Sequence, residues 1–165
     1  MTGPVVREAS GAEDMARVRA LFREYADWLQ VDLCFQGFDA ELASLPGAYA
    51  RPDGRLFLAM DGIEAAGCIA LRRFDADAGE VKRLYVRPAW RGRGLGERLA
   101  QAVVDAAREI GYRRLLLDTL DHMQAARALY ARAGFREIAA YYHNPLPGAV
   151  YMEKSLQGSS DSIAG

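Results

Sequence analysis

The sequence is poor in the residues that hold small proteins together through sulfur or metal. Its 165 residues include two cysteines and two histidines. Cys34 and Cys68 lie far apart, and no Cys or His stands near them at metal-ligand spacing, so neither a disulfide framework nor a zinc site is indicated. A metal-free protein of a reducing compartment is expected. No stretch approaches the roughly 20 apolar residues of a membrane span, and residues 1–8 lack the apolar core of a secretory signal. The expectation is a soluble, cytoplasmic protein with no membrane partner. A large excess of charge is also missing. Twenty-one basic side chains face 22 acidic ones, a net charge of −1, which argues against a surface dedicated to nucleic-acid phosphates. What is present, 51% apolar and 26% charged residues, suits a single globular domain.

Val5 to Arg7 form a short first strand, and Ser10 with Glu13 has the form of a capping box opening a helix. Met15, Val18, Leu21, Phe22, Tyr25, Trp28 and Leu29 recur at helical spacing. A second short helix is expected over Phe38 to Leu45, stopped by Pro46-Gly47. Leu56 to Met60 and Ala66 to Phe74, joined by a turn at Asp61-Gly62, have the pattern of an antiparallel hairpin, with a third strand over Glu80 to Val86. Leu95, Leu99, Ala102, Val103, Ala106 and Ile110 stripe a helix that Gly111 ends. Leu115 to Asp118 is a strand, and Ala126, Leu129, Tyr130 and Ala133 mark a last helix. Phe135 to Ala140 and Val150 to Lys154 close the series. The order β-α-α-β-β-β-α-β-α-β-β implies one mixed sheet with helices packed against it. Residues 1–156 form the expected domain, and 157–165, without core-forming residues, a flexible tail.

Three glycines alternate in Arg91-Gly92-Arg93-Gly94-Leu95-Gly96, where a strand gives way to a helix. Backbone without Cβ atoms turns tightly and brings successive N–H groups together, and the helix adds its positive N-terminal end. Such a loop suits a diphosphate. Arg87, Arg91 and Arg93 add fixed positive charge that could pair with it. A nucleotide-hydrolysing P-loop would need Lys-Ser/Thr where Leu95-Gly96 stands. A dinucleotide fingerprint would need Gly or Ala at Glu97, and normally opens a βαβ unit rather than following a hairpin. Asp118, at the end of a downstream strand, keeps that alternative alive.

The run Leu84-x-Val86-x-Pro88-x-x-Arg91-Gly92-x-Gly94-x-Gly96 resembles the Arg/Gln-x-x-Gly-x-Gly/Ala motif of the GNAT superfamily of N-acetyltransferases. Ala126-x-x-Leu129-Tyr130-x-x-x-Gly134-Phe135 is similar to that superfamily's second stretch. The resemblance covers nearly the whole chain. It implies an α/β (α+β) fold: a single mixed, mostly antiparallel, twisted and splayed β-sheet flanked by helices on both faces. It implies acetyl-CoA as co-substrate and an amine acceptor, with the pantetheine arm lying along Leu84, Tyr85 and Val86. The pyrophosphate would sit on the amides of Arg91, Gly92, Arg93, Gly94, Leu95 and Gly96, with Glu97 adjoining, and the Val86 N–H would polarise the acetyl carbonyl. Tyr130 matches the position of the tyrosine that protonates the departing thiolate. Glu80 stands where several members place a proton-accepting carboxylate, with Asp118 as the other candidate. The position of a common Asn contact to pantetheine holds Met123 here, next to His122.

The acceptor pocket of such a protein would be built from residues 28–49 and 141–149, where Asp32, Phe35, Gln36 and Phe38 oppose Tyr141, Tyr142, His143 and Asn144. These groups could bind a small amine or amino acid, with Asp32 attracting its charge. The α-amino group of a protein is an alternative acceptor, and an acyl-CoA sensor without turnover an alternative role. A homodimer is compatible with the fold, although no coiled-coil seam specifies one.

Overall fold

A computed structural model describes residues 3–29 and 37–156. They form one seven-stranded sheet in the order β1-β2-β3-β4-β5-β7-β6, from β1 Val5–Glu8, β2 Arg55–Asp61, β3 Glu64–Arg73, β4 Ala78–Val86, β5 Arg114–Leu120, β6 Arg136–Ile138 and β7 Ala149–Ser155. Helices α1 Gly11–Leu29, α2 Phe38–Ser44, α3 Leu95–Ile110 and α4 Gln124–Arg132 complete it. The element order is the expected one. Element ends differ: the hairpin turn falls on Gly62 and Ile63, because Asp61 still pairs with Glu64, and the strand expected over Phe135 to Ala140 shrinks to three residues. The tail expected over 157–165 lies outside the described residues, as do Cys34, Asp32, Phe35 and Gln36.

Two apolar cores sandwich the sheet. On one side Leu95, Leu99, Val103 and Ala107 of α3 and Leu129 and Tyr130 of α4 cover Ile69, Leu71, Val81, Leu115 and Leu117. On the other, Val18, Leu21 and Phe22 of α1 and Phe38 and Leu42 of α2 cover Leu58, Cys68, Ala70 and Tyr85. Val18, Leu21 and Phe22 have no exposed surface; burial of side chains of this size stabilises by about 1.5–3 kcal/mol each. The start of α1 departs from the expected cap. It is Asp14, not Glu13, that accepts the Ser10 N–H (2.9 Å). Asp14 also takes two Arg7 hydrogen bonds (2.6 and 3.0 Å) and one from Arg17 (2.8 Å), whereas Glu13 points into solvent.

Among the described strands, β4 and β5 are the one parallel pair, and they are joined over three residues only: Ala78, Gly79 and Glu80 stand opposite Arg114, Leu115 and Leu116. Beyond this point β4 runs on to Val86 and β5 to Leu120 unpaired with each other, leaving a V-shaped gap. A bulge in β4 helps open it. Ala70 pairs with Lys82 and Cys68 with Tyr85, so Arg83 and Leu84 share the single opposing residue Ile69. Arg83 carries the strain, at φ 64°, a conformation L-residues avoid. Opposite the bulge, a Cβ on Gly67 would sit 2.7 Å from the Tyr85 carbonyl oxygen; only glycine permits that approach.

Candidate active site

The bulge sorts β4 between the two sides of the sheet. Before it, Glu80 and Lys82 stand opposite Arg72 and Ala70 on the α1/α2 side. After it, Tyr85 holds that side while Leu84 and Val86 pack toward α3. The Arg87 N–H donates back to Ala66 O (2.8 Å). Successive peptides of a strand point in opposite directions, so the Val86 N–H and C=O face away from β3, into the gap.

On the α3 side a cavity of about 460 Å³ runs from Leu84, Tyr85 and Val86 to Gly92, Gly94 and Gly96. Leu95 and Glu97 also line it, so the predicted loop and strand residues, Arg93 excepted, lie on one surface. Gly92 (φ 79°) and Gly94 (φ 77°) adopt the left-handed backbone. Gly94 begins α3 without any side-chain cap; the first amides of this 16-residue helix therefore have no intrahelical partner and suit an anion. Gly96 serves packing instead, since a Cβ there would lie 2.8 Å from Leu129 Cδ1.

The arginines divide by role. Arg87 is committed elsewhere, to both Glu24 oxygens (2.9 and 2.5 Å) and Ala65 O (2.8 Å), so it is no phosphate ligand in this arrangement. Arg91 lines the cavity. Its Nε donates to Val86 O (2.8 Å), and its guanidinium lies over Trp28 (5.0 Å) and Tyr85 (5.7 Å). Arg93 is exposed on the loop. Glu97 meets Arg132 at 3.6 Å, which offsets its charge beside the uncapped start of α3.

On the α1/α2 side a smaller cavity, about 40 Å³, is lined by Tyr25, Lys82, Asp118, Thr119, Met123 and Asn144, among others. Asp118 Oδ2 accepts hydrogen bonds from Tyr142 OH (2.5 Å) and Asn144 Nδ2 (2.8 Å). Asp118 Oδ1 lies 3.9 Å from Lys82 Nζ, and the two side chains are 8% and 4% exposed. Burial pulls the Lys82 ammonium below the ordinary lysine value, against the attraction of Glu80 and Asp118. Burial pushes the Tyr142 hydroxyl well above the usual tyrosine value, and its bond to Asp118 adds to this, so it stays a donor.

Glu80 sits at the vertex of the gap. Its Oε1 takes Arg72 Nε (2.9 Å) and its Oε2 takes Tyr141 OH (2.7 Å). The residue is 1% exposed and is not part of the lining of either cavity. Tyr130, on α4, is buried with its ring 5.4 Å from Phe135. Burial raises its hydroxyl far above the ordinary value, followed by repulsion from Tyr25 and Asp118, which line the smaller cavity. Tyr130 thus belongs to the α3-side core and is not part of the lining of either cavity. Met123 lines both cavities, and its sulfur accepts Thr119 Oγ1 (3.7 Å). His122 is exposed beside Asp121, at 3.8 Å.

Sequence reasoning missed three residues. Lys82 and Arg83 had no assigned role; two consecutive charged residues, where the alternation of Glu80, Val81 and Lys82 breaks off, were the available signal of a bulge. Arg83 is 4% exposed and grips Glu41 of α2 through two bonds (3.0 and 2.8 Å). Tyr25 was read only as part of an apolar stripe. Among the described residues no cluster of His, Cys, Asp and Glu is placed to hold a metal ion, and no helix is long and apolar enough to cross a membrane.

Residues 18–135 match the acetyltransferase (GNAT) family. An uncharacterized N-acetyltransferase of Schizosaccharomyces pombe is 39% identical over 87% of this chain and 90% of its own length. The IAA acetyltransferase of Azospirillum brasilense is 36% identical over 65% of this chain and 71% of its own. The crystal structure of a GNAT family acetyltransferase from Elizabethkingia anophelis with acetyl-CoA bound superposes with a TM-score of 0.64 at 20% identity, over 94% and 99% of the two chains. The chain therefore belongs to the acetyltransferase (GNAT) family, as an acyltransferase built on that family's splayed sheet.

Proposed function

We propose that the protein transfers the acetyl group of acetyl-CoA to the primary amine of a small molecule, with Asp118 accepting the amine's proton. The observation that supports this is the placement of Asp118 Oδ1 in the gap: Oδ2 is fully used by Tyr142 and Asn144, while Oδ1 faces Lys82 across the splay. Pantetheine lies along Leu84 to Val86, with the pyrophosphate on the amides that open α3. The thioester then lies at the mouth of the gap, where the Val86 N–H points.

Transfer needs alignment and two proton movements. The ammonium gives its proton to Asp118 Oδ1, and the freed amine attacks the thioester carbon. The C–N bond forms as the carbonyl oxygen gathers charge beside the Val86 N–H. The C–S bond then breaks, and the departing thiolate takes the Tyr130 proton, which solvent restores. Glu80 acts here as the clamp of the vertex, tying β4 to Arg72 and to Tyr141 of the segment that covers β5.

The test is release of free CoA thiol with a panel of primary amines, for wild type, Asp118→Asn and Glu80→Gln. Asp118→Asn is expected to lower kcat about a hundredfold or more with acetyl-CoA affinity unchanged. Full turnover in Asp118→Asn assigns the proton elsewhere. Binding of acetyl-CoA with no thiol release across the panel would make the protein a sensor.

A further inference from the structure

One side chain borders three cavities. The donor cavity of about 460 Å³ and the small cavity of about 40 Å³ have a single lining residue in common among those described, Met123. A third cavity, about 490 Å³, lies between Trp28 and Leu29 at the end of α1 and Ala125 and Ala126 at the start of α4, and Met123 lines it too. Among the described residues no other lines all three.

Met123 is held there at both ends. Its backbone is the N-cap of α4, and its N–H donates to Leu120 O at the end of β5 (3.0 Å). Its sulfur meets Thr119 Oγ1 on the β5 wall of the gap (3.7 Å). The side chain therefore works as a partition where the donor cavity adjoins the small one. It is a yielding partition, because a thioether is unbranched, turns about three bonds and accepts only a weak hydrogen bond.

The space behind the partition limits the acyl group. A water molecule takes roughly 30 Å³ in the liquid and a methyl group is of the same order, so about 40 Å³ suits the methyl of an acetyl group and little more. Asp118 lines the same space, and the attacking nitrogen has to reach it there. A longer chain has no room beside them. The larger space within reach is the third cavity, on the far side of Met123.

Resting on the placement of acetyl-CoA given above, we infer that Met123 sets the donor's acyl length: it closes the passage from the thioester to the third cavity, so that acetyl is taken and butyryl or longer chains are refused. Each added methylene has to push Met123 off Thr119, and one methylene too many in a fitted apolar pocket is worth about 10–200-fold in discrimination.

The experiment uses the full chain. Affinities for CoA, acetyl-CoA, propionyl-CoA and butyryl-CoA are measured by calorimetry without acceptor, and transfer rates with the amine that the protein acetylates fastest. Wild type is expected to favour acetyl-CoA over butyryl-CoA at least about tenfold in both measurements. Met123→Ala is expected to erase most of that ratio by gaining butyryl-CoA affinity and rate, while Met123→Leu, close in volume, keeps it. Thr119→Ala removes the other half of the contact and should move the ratio the same way by less; it decides the matter should Met123→Ala fail to fold. Wild type that binds and transfers butyryl as well as acetyl overturns the inference. So does a Met123→Ala variant that weakens acetyl-CoA and butyryl-CoA equally. Acyl-CoA binding without a chain-length preference removes this inference alone; absence of any CoA binding removes the placement of the donor and this inference with it.

Discussion

The two sides of the sheet are built on different principles. On the α3 side the polar groups on offer are largely backbone, set among apolar side chains such as Leu84, Trp90 and Leu129: the Val86 peptide, the glycines of the loop, and the uncapped amides of α3. On the α1/α2 side it is a lattice of side chains from β4, β5, α1, α2 and residues 141–144, each held by another. Backbone recognition suits a ligand whose phosphates and amides never vary. Side-chain recognition is replaceable residue by residue, which allows one fold to keep its donor and change its acceptor. Donor binding should therefore survive changes on the α1/α2 side, and acceptor preference should survive changes on the α3 side.

Tyr130 is the residue that most threatens this division, because it packs with the α3-side core and acts, on our reading, in the gap. Tyr130→Phe keeps the ring against Phe135 and removes only the proton, so kcat should fall about 10- to 100-fold with acetyl-CoA affinity unchanged in steady-state and binding assays. Unchanged kcat would leave Tyr130 as packing alone. The next effect isolates the donor side. Gly94→Val forces a β-branched residue into the backbone at φ 77°, a strain of about 1–3 kcal/mol. Acetyl-CoA should bind about tenfold more weakly by calorimetry, while the preference among acceptor amines stays as it was. A lost preference would show that the two sides are coupled.

The smallest effect separates stability from both. Hydrogen bonds from Arg7 chiefly, then the Ser10 N–H and Arg17, hold the Asp14 carboxyl well below the usual range despite its burial. A depressed folded value means that the stabilisation is complete above the ordinary value of 3.8 and is lost as pH falls below it toward the folded value. Asp14→Asn should cost about 1–2 kcal/mol near neutrality, some ~3–6 °C in Tm. The gap between variant and wild type should close on acidification below pH 3.8. Below the melting range kcat should not move, even though α1 also carries Tyr25 and Trp28 to the cavities.

The α3 side was legible because its signals are local. Glycines at alternate positions, a stripe from Leu95 to Ile110 and Gly111 at φ 106° all lie within one stretch of chain. The arginine roles were not, since nothing in the sequence says that Arg87 meets Glu24, 63 residues away. The capping assignment failed for a similar reason: Asp14 is drawn in by Arg7 on β1, a tertiary contact. The acceptor side was legible only as a set of segments. Asp118 and Tyr142 are 24 residues apart, and Glu80 and Tyr141 61 apart. Residue types there suggested polarity, but which carboxylate is clamped and which faces the gap depends on pairings that spacing cannot reveal.

The bulge at Arg83 also works as a change of phase. Strand residues alternate, so one inserted residue exchanges odd for even along everything that follows. Glu80 and Lys82 are in one phase, Tyr85 in the other, and yet all three face α1 and α2. Deleting a single residue between Lys82 and Tyr85 would restore a regular strand at the expense of both halves: either the charged row or the Leu84–Val86 row would turn to the wrong side. The reading frame of this strand is therefore as much a part of the site as any side chain in it, and β4 should tolerate substitutions at many positions where it tolerates no change of length.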